Sequence, residues 1–99
     1  MRQVFDVNGP LVVRDLKQTC TGCPSQWEAR TVDDDRPVYI RYRYGYLSVD
    51  VGPPGGSVFD AIDAGMKDGE YMGAQIGQEW DGFISWPQVQ EAAGIEVLT

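Results

Sequence analysis

Histidine is absent from this 99-residue chain, and its absence removes the side chain that enzymes use most often as a general base. Without an imidazole, the Ser/His/Asp and Cys/His nucleophilic arrangements cannot form in their usual versions. A phosphate-binding loop is also missing, because the glycine-rich stretch 52–56 lacks the lysine and the flanking pattern that such loops use. We therefore expect a protein that is not an enzyme and that needs no cofactor.

Cysteine is nearly as scarce, since Cys20 and Cys23 are the only two. A structural zinc site needs four ligands, so a monomeric Cys/His site is excluded, whereas two chains of a symmetric dimer would together supply four thiolates. A redox dithiol is the other functional interpretation of this spacing, and two small residues packing in a turn is the simplest one. Two cysteines three positions apart do not make a disulfide scaffold, which agrees with a reducing compartment.

Long apolar runs are missing as well. No stretch approaches the roughly 20 residues of a membrane-spanning helix, and the N-terminus lacks the basic-then-apolar pattern of a signal peptide. These two absences predict a cytoplasmic protein. The length suits a single domain that comprises residues 1–99.

Basic residues are rare in the second half of the chain. The formal net charge is −7: residues 1–49 carry a net charge of +1, and residues 50–99 carry −8, with Lys67 as their one basic residue. A negative field of this kind repels nucleic-acid phosphates and anionic membranes, and it attracts basic partners. We therefore expect a partner protein with a basic surface, and no direct contact with nucleic acid or membrane.

The chain is rich in β-forming sequence, most clearly in VYIRYRYGYLSV, residues 38–49, which contains four of the five tyrosines. Taking residues 33–36 as a loop and Tyr44-Gly45 as a two-residue turn aligns three antiparallel strands. Because Tyr44 would need a positive φ in this turn, a four-residue loop over residues 43–46 with the same register is the alternative. The apolar rows of the alignment are Trp27–Tyr42–Leu47, Ala29–Ile40–Val49 and Thr31–Val38–Val51.

The opposite face of the same alignment brings charges of opposite sign together. Glu28 faces Arg41, and Arg30 is separated from Asp50 by one tyrosine. Opposed charges of this kind stabilise a sheet, so the interleaved arginines and tyrosines favour a sheet over a nucleic-acid stacking surface.

Arg43 is the only arginine on this face without an acidic neighbour, and tyrosine and arginine are common at protein interfaces. We therefore predict an exposed protein-binding patch on the outer side of the sheet. Its residues are Tyr39, Arg43 and Tyr46.

Two short helices are predicted after the strands. Ser57 begins the first, with Asp60 at the third helical position, and Ser85 with Gln88 forms a capping box for the second, which Gly94 ends. The first helix has one apolar side, made of Val58, Phe59, Ile62 and Met66. The predicted fold class is α+β, an antiparallel β-meander with the two short helices packed on one face.

Residues 23–49, CPSQWEARTVDDDRPVYIRYRYGYLSV, resemble the core of a family of small, uncharacterised bacterial and phage proteins that share a CPSQWE...YIRYRYGYLSV string. The resemblance covers roughly a quarter of the chain. It implies a bacterial or viral setting, and it carries no known activity, so it transfers no functional residues.

Charge, fold class and the lack of catalytic groups together predict a small acidic binding protein. We expect a phage-type inhibitor that covers a basic surface of a nucleic-acid-handling partner, in an anti-defence or anti-CRISPR-like role. Carboxylates of the second half would imitate phosphates, namely Asp60, Asp63, Asp68, Glu70, Glu79 and Asp81. The alternative is a metal-linked or redox-responsive homodimer that uses Cys20 and Cys23. An enzyme based on paired carboxylates would require an apolar cleft that raises one carboxyl pKa.

Overall fold

The computed structural model of the protein describes residues 11–21, 25–68 and 71–98. These residues form six strands and two helices, so the α+β class is confirmed. In chain order the elements are β1 (Leu11–Cys20), β2 (Ser25–Thr31), β3 (Pro37–Arg43), β4 (Tyr46–Val51), α1 (Val58–Asp68), β5 (Met72–Gln75), α2 (Trp86–Ala93) and β6 (Ile95–Val97). No helix in this described part of the chain is long and apolar enough to cross a membrane.

The six strands form one mixed sheet in the order β5-β4-β3-β2-β1-β6. All neighbours are antiparallel except β1 and β6, which run parallel. The prediction of a purely antiparallel meander is therefore wrong at one edge. The reason lies in the connection: the chain leaves β5 at one edge and reaches the far edge through α2, and a crossover of this kind is what joins parallel strands.

The register of β3 and β4 agrees with the alignment of apolar residues. Tyr42 pairs with Leu47 and Ile40 with Val49, and the turn between the strands is the two-residue Tyr44-Gly45. Both turn residues have positive φ, 56° and 75°, as a type I′ hairpin turn requires. The four-residue alternative is therefore not adopted.

The register of β2 and β3 differs from the prediction by two residues, because Trp27 pairs with Ile40 instead of Tyr42. The loop between these strands explains the shift. The Thr31 hydroxyl donates to Asp34 Oδ1 at 2.7 Å and accepts from the Arg36 amide at 2.8 Å. Thr31 thereby becomes part of the turn, and the loop begins earlier than expected. A shift of two residues preserves the predicted faces, since side chains alternate with a period of two.

The main core lies on the apolar face of the sheet, and α2 covers it. The indole rings of Trp27 in β2 and Trp86 in α2 lie 5.6 Å apart between centroids. Val89 and Ala93 of α2 are buried in the same cluster. Both ends of α2 match their predicted caps: the Ser85 amide donates to Gln88 Oε1 at 3.0 Å, and Gly94 has a left-handed φ of 70°.

Helix α1 packs on the opposite, polar face, against β3 and β4. Its contact side consists of small residues: Ala61 is fully buried against Gly52, and Gly65 lies directly over the Asp50 carboxylate of β4. The prediction that both helices pack on one face is therefore wrong. The predicted apolar side of α1 is also wrong in part, because Phe59 and Met66 point to solvent. The predicted helix start is confirmed, since the Ser57 amide donates to Asp60 Oδ2 at 2.8 Å.

Candidate binding surface

The β3–β4 turn is bound to the irregular segment 76–85 by backbone hydrogen bonds. The Gly45 amide donates to the Asp81 carbonyl at 2.7 Å, and the Gly45 carbonyl accepts from the amides of Ile76 and Gly77 at 2.9 and 3.0 Å. A Cβ at Gly45 would lie 2.5 Å from the Gly77 carbonyl oxygen, so the segment approaches the turn as closely as a glycine permits. Gln75 Nε2 also donates to the Tyr44 carbonyl at 2.8 Å.

A buried tyrosine holds the middle of this segment. The Tyr42 hydroxyl donates to Asp81 Oδ2 at 2.8 Å, and the Tyr42 side chain is only 2% exposed. Burial of the phenol, together with its hydrogen bond to the carboxylate, raises the pKa of Tyr42 to about 12. Gly77 leaves room for this contact, since a Cβ there would lie 2.0 Å from the Tyr42 hydroxyl.

The start of β2 holds the far part of the segment. The fully buried Ser25 hydroxyl donates to the Gly82 carbonyl at 3.0 Å and accepts from the Ile84 amide at 3.3 Å. Ser25 pairs with Tyr42 in the sheet, so both anchors lie at the same end of the strands. The backbone of segment 76–85 is therefore attached to the sheet near its beginning, its middle and its end.

Large apolar side chains project from this well-anchored backbone into solvent. Trp80 is 81% exposed, Phe83 63%, Tyr44 61% and Ile76 44%. We call these four residues the hairpin-end surface. The Arg43 guanidinium lies 5.1 Å from the centroid of the Tyr44 ring, within the range of a cation–π contact. Aromatic side chains held in solvent on an ordered backbone are typical of a protein-binding site.

The predicted patch on β3 and β4 is only partly exposed. Arg43 is exposed, whereas Tyr39 and Tyr46 are half-buried. Helix α1 covers this face, and the Tyr39 hydroxyl accepts a hydrogen bond from Gln26 Nε2 at 2.6 Å. Of the three predicted residues, the structure therefore brings only Arg43 to the hairpin-end surface in an exposed position.

The acidic residues of the second half are distributed over several elements. Asp60 caps α1, and Asp63 forms an ion pair with Lys67 at 3.0 Å. Asp81 accepts from Tyr42, and Glu79 is exposed beside Trp80. The side chain of Asp68 and all of Glu70 lie outside the described residues. The structure does not gather the four described carboxylates, those of Asp60, Asp63, Glu79 and Asp81, into one cluster, although Glu79 and Asp81 belong to the segment of the hairpin-end surface.

The arginines are compensated differently from the sequence-based alignment. Because of the register shift, Glu28 pairs with Tyr39, and Gln26 pairs with Arg41. Arg30 instead reaches Asp35 of the β2–β3 loop, at 2.5 Å between Nε and Oδ1. This hydrogen bond from Arg30 holds the pKa of Asp35 below its usual value. Arg14 also pairs with Asp35, and Arg36 with Asp34.

The first cysteine lies at the end of β1 as a partly buried free thiol, and Cys23 lies outside the described residues. Within residues 11–21, 25–68 and 71–98, no three His, Cys, Asp or Glu side chains come close enough together to hold a metal ion. The dimer alternative based on Cys20 and Cys23 therefore stays a prediction.

Comparisons of the chain with models of protein families, with curated proteins and with solved structures give no significant match.

Sequence reasoning did not identify the hairpin-end surface, although part of its signal was present. Residues 76–83, IGQEWDGF, place three large apolar residues in a stretch without strand or helix periodicity. Large apolar residues in an irregular segment are either buried under it or exposed for binding. Only the hydrogen bonds to Gly45, Tyr42 and Ser25 decide that these side chains face solvent.

Proposed function

We propose that the protein is a non-enzymatic binding protein whose contact site is the hairpin-end surface. The observation that carries this proposal is the exposure of Trp80, Phe83 and Tyr44 on a backbone that the sheet holds in place. Binding an ordered surface costs less conformational entropy than ordering a loose loop, so such aromatics can contribute most of a binding energy.

The net charge of −7 supports a partner with a basic surface. Glu79 stands next to Trp80 in the sequence and is exposed, which places an acidic group at the margin of the apolar contact. We therefore propose a partner that offers an apolar pocket with lysine or arginine around it. A nucleic-acid-handling protein of a bacterial cell meets this description, in keeping with a phage-type inhibitor that acts in the cytoplasm.

A capture experiment with matched variants tests the proposal. Wild type, Trp80→Ser and Phe59→Ser would each be immobilised and exposed to a bacterial lysate at low and moderate salt. Phe59 is the control, because it is 76% exposed but lies on α1, away from the hairpin-end surface. An aromatic anchor is commonly worth 2 kcal/mol or more, so loss of Trp80 should weaken binding on the order of 30-fold or more.

We expect a basic protein that wild type and Phe59→Ser retain, that Trp80→Ser loses, and that salt weakens. The dissociation constant would then be measured with the purified partner. Retention of the same proteins by all three forms, or capture of no basic protein, would contradict the proposal. Self-association that depends on Trp80 would assign the surface to a second copy of the chain and would also contradict it.

A further inference from the structure

A small cavity lies between α1 and the polar face of β3 and β4. Its volume is about 240 Å³, and it is partly open to solvent. Tyr39 pairs with Asp50 and Arg41 with Ser48, so four polar side chains form one block at its base. The residues that line it are Tyr39, Arg41, Ser48, Asp50, Ile62, Gly65 and Met66.

Three of these side chains can donate hydrogen bonds into the cavity. The Tyr39 oxygen already accepts from Gln26 at 2.6 Å, which leaves its own proton for another acceptor. Burial raises the pKa of Tyr39, so the phenol keeps that proton. No carboxylate of the described residues lies within ion-pair distance of Arg41. The Ser48 hydroxyl makes only a long contact, 3.4 Å, with the Arg41 carbonyl. Such donors suit a carboxylate.

The fourth polar group, Asp50, is an acceptor of hydrogen bonds and not a donor. The Asp50 carboxylate has two oxygens with about four acceptor sites, so it can accept from a ligand in addition to its contacts within the protein. A purely anionic ligand would be repelled by Asp50, and a purely cationic one by Arg41. A ligand with both charges satisfies both residues.

The size of the cavity limits the ligand. Binding pockets commonly measure about 300–1,000 Å³, so this cavity suits a molecule smaller than a nucleotide. Its volume of about 240 Å³ equals the liquid volume of roughly eight waters, each of about 30 Å³. Ile62 and the largely exposed Met66 of α1 also line the cavity, and their apolar atoms suit a short aliphatic group.

We propose that this cavity binds a small zwitterion of the α-amino acid class. Arg41, with Tyr39 and Ser48, binds the carboxylate, and Asp50 binds the ammonium group. The aliphatic side chain contacts Ile62 and Met66. This site goes beyond the hairpin-end surface and does not depend on it, because none of its lining residues belongs to that surface.

A titration followed by amide NMR shifts tests the site with three probes. L-valine has both charges, isovalerate only the carboxylate, and isobutylamine only the ammonium group. We expect saturable shifts at cavity residues with L-valine, and binding about tenfold or more weaker for either single-charge probe. Equal affinity for L-valine and isovalerate would overturn the assignment, as would the absence of saturable shifts with L-valine.

Two arginine variants give an independent test. Arg41→Gln should weaken L-valine binding about tenfold or more, since it removes the charged donor. Arg43→Gln is the control, because Arg43 lies on the same face of the same strand but does not line the cavity. Binding of L-valine should change less than about twofold there. Circular dichroism would show that both variants are folded, and equal losses in both would overturn the proposal.

Discussion

Replacement of Tyr42 by phenylalanine tests the contact that holds segment 76–85 on the sheet. Phenylalanine keeps the buried ring and removes only the hydroxyl that donates to Asp81 at 2.8 Å. A hydrogen bond to a charged group contributes about 1.5–3 kcal/mol, so Tyr42→Phe should lower the free energy of unfolding by that amount near neutral pH. Asp81 is partly exposed and can recover some hydration, which favours the lower end of this range.

The same contact predicts how stability depends on pH. The pKa of Tyr42 is about 12 in the folded protein and 10.0 as its ordinary value. A pKa raised by folding means that the folded state retains the proton longer, so the stabilisation is complete below pH 10 and is lost as the pH rises toward 12. Two pKa units correspond to about 3 kcal/mol in total, of which about 1.4 kcal/mol is lost by about pH 11. Tyr42 is 2% exposed, but its partner Asp81 is partly exposed, so solvent screening makes these free energies upper values.

Urea unfolding of wild type and Tyr42→Phe, followed by tryptophan fluorescence from about pH 8 to about pH 11, measures both effects. The difference in the free energy of unfolding between the two proteins should narrow by up to about 1.4 kcal/mol over this range, since only wild type loses the Tyr42 contribution. Tyr44→Phe is the matched control, because it removes the hydroxyl of an exposed tyrosine, and its curve should stay parallel to that of wild type. Titration of tyrosinate absorbance should show a phenol in wild type, with a pKa of about 12, that Tyr42→Phe lacks. A gap that stays constant with pH would refute the buried Tyr42–Asp81 contact.

Two glycine substitutions test the packing of the turn and of α1. Gly45→Ala and Gly55→Ala impose nearly the same strain, φ of 75° and 76°, but only at Gly45 does the added Cβ meet carbonyl oxygens, at 2.4 and 2.5 Å. Urea unfolding should therefore show that Gly55→Ala lowers the free energy of unfolding by about 1–2 kcal/mol and that Gly45→Ala lowers it by at least about 1 kcal/mol more. Equal losses in the two variants would contradict the packing of segment 76–85 on the turn. Gly65→Ala should destabilise the protein, because its Cβ would lie 2.4 Å from the Asp50 carboxyl carbon, and Asp50→Ala in the same chain should remove much of that loss. If α1 did not pack on this face, Gly65→Ala would instead stabilise the helix by about 1 kcal/mol.

Local signals in the sequence predicted the β3–β4 hairpin and the capping residues of both helices. The apolar alternation of residues 38–51 determined the pairing of β3 with β4, because a slip by one residue would expose a whole apolar face. Ser57 with Asp60, Ser85 with Gln88, and Gly94 marked the helix ends, since capping depends on side chains only three or four residues away.

The wrong predictions for β6 and α1 depended on contacts between distant parts of the chain, whereas the β2–β3 register depended on a contact within the turn. The β2–β3 register changed by two residues because the Thr31 side chain joined the turn, and both registers bury the same face. The placement of α1 depended on Ala61 and Gly65, whose small size lets the helix approach the strands closely. Apolar residues on a helix predict that the helix packs against the sheet, but they do not predict which side of it makes the contact. In α1 the contact side is the one with small residues, and the larger Phe59 and Met66 stay exposed.

The sequence by itself determined the α+β class, the strand faces, the helix ends and the acidic second half of the chain. Only the tertiary structure decided that α1 covers the polar face, that β6 pairs parallel to β1, and that Trp80 and Phe83 face solvent while Tyr42 is buried beneath their segment. The physical reason is the separation along the chain of the residues that interact. Alternation and capping act between residues close in the chain, whereas the candidate sites arise where Gly45 meets Gly77 and where Gly65 meets Asp50, contacts that no local pattern encodes.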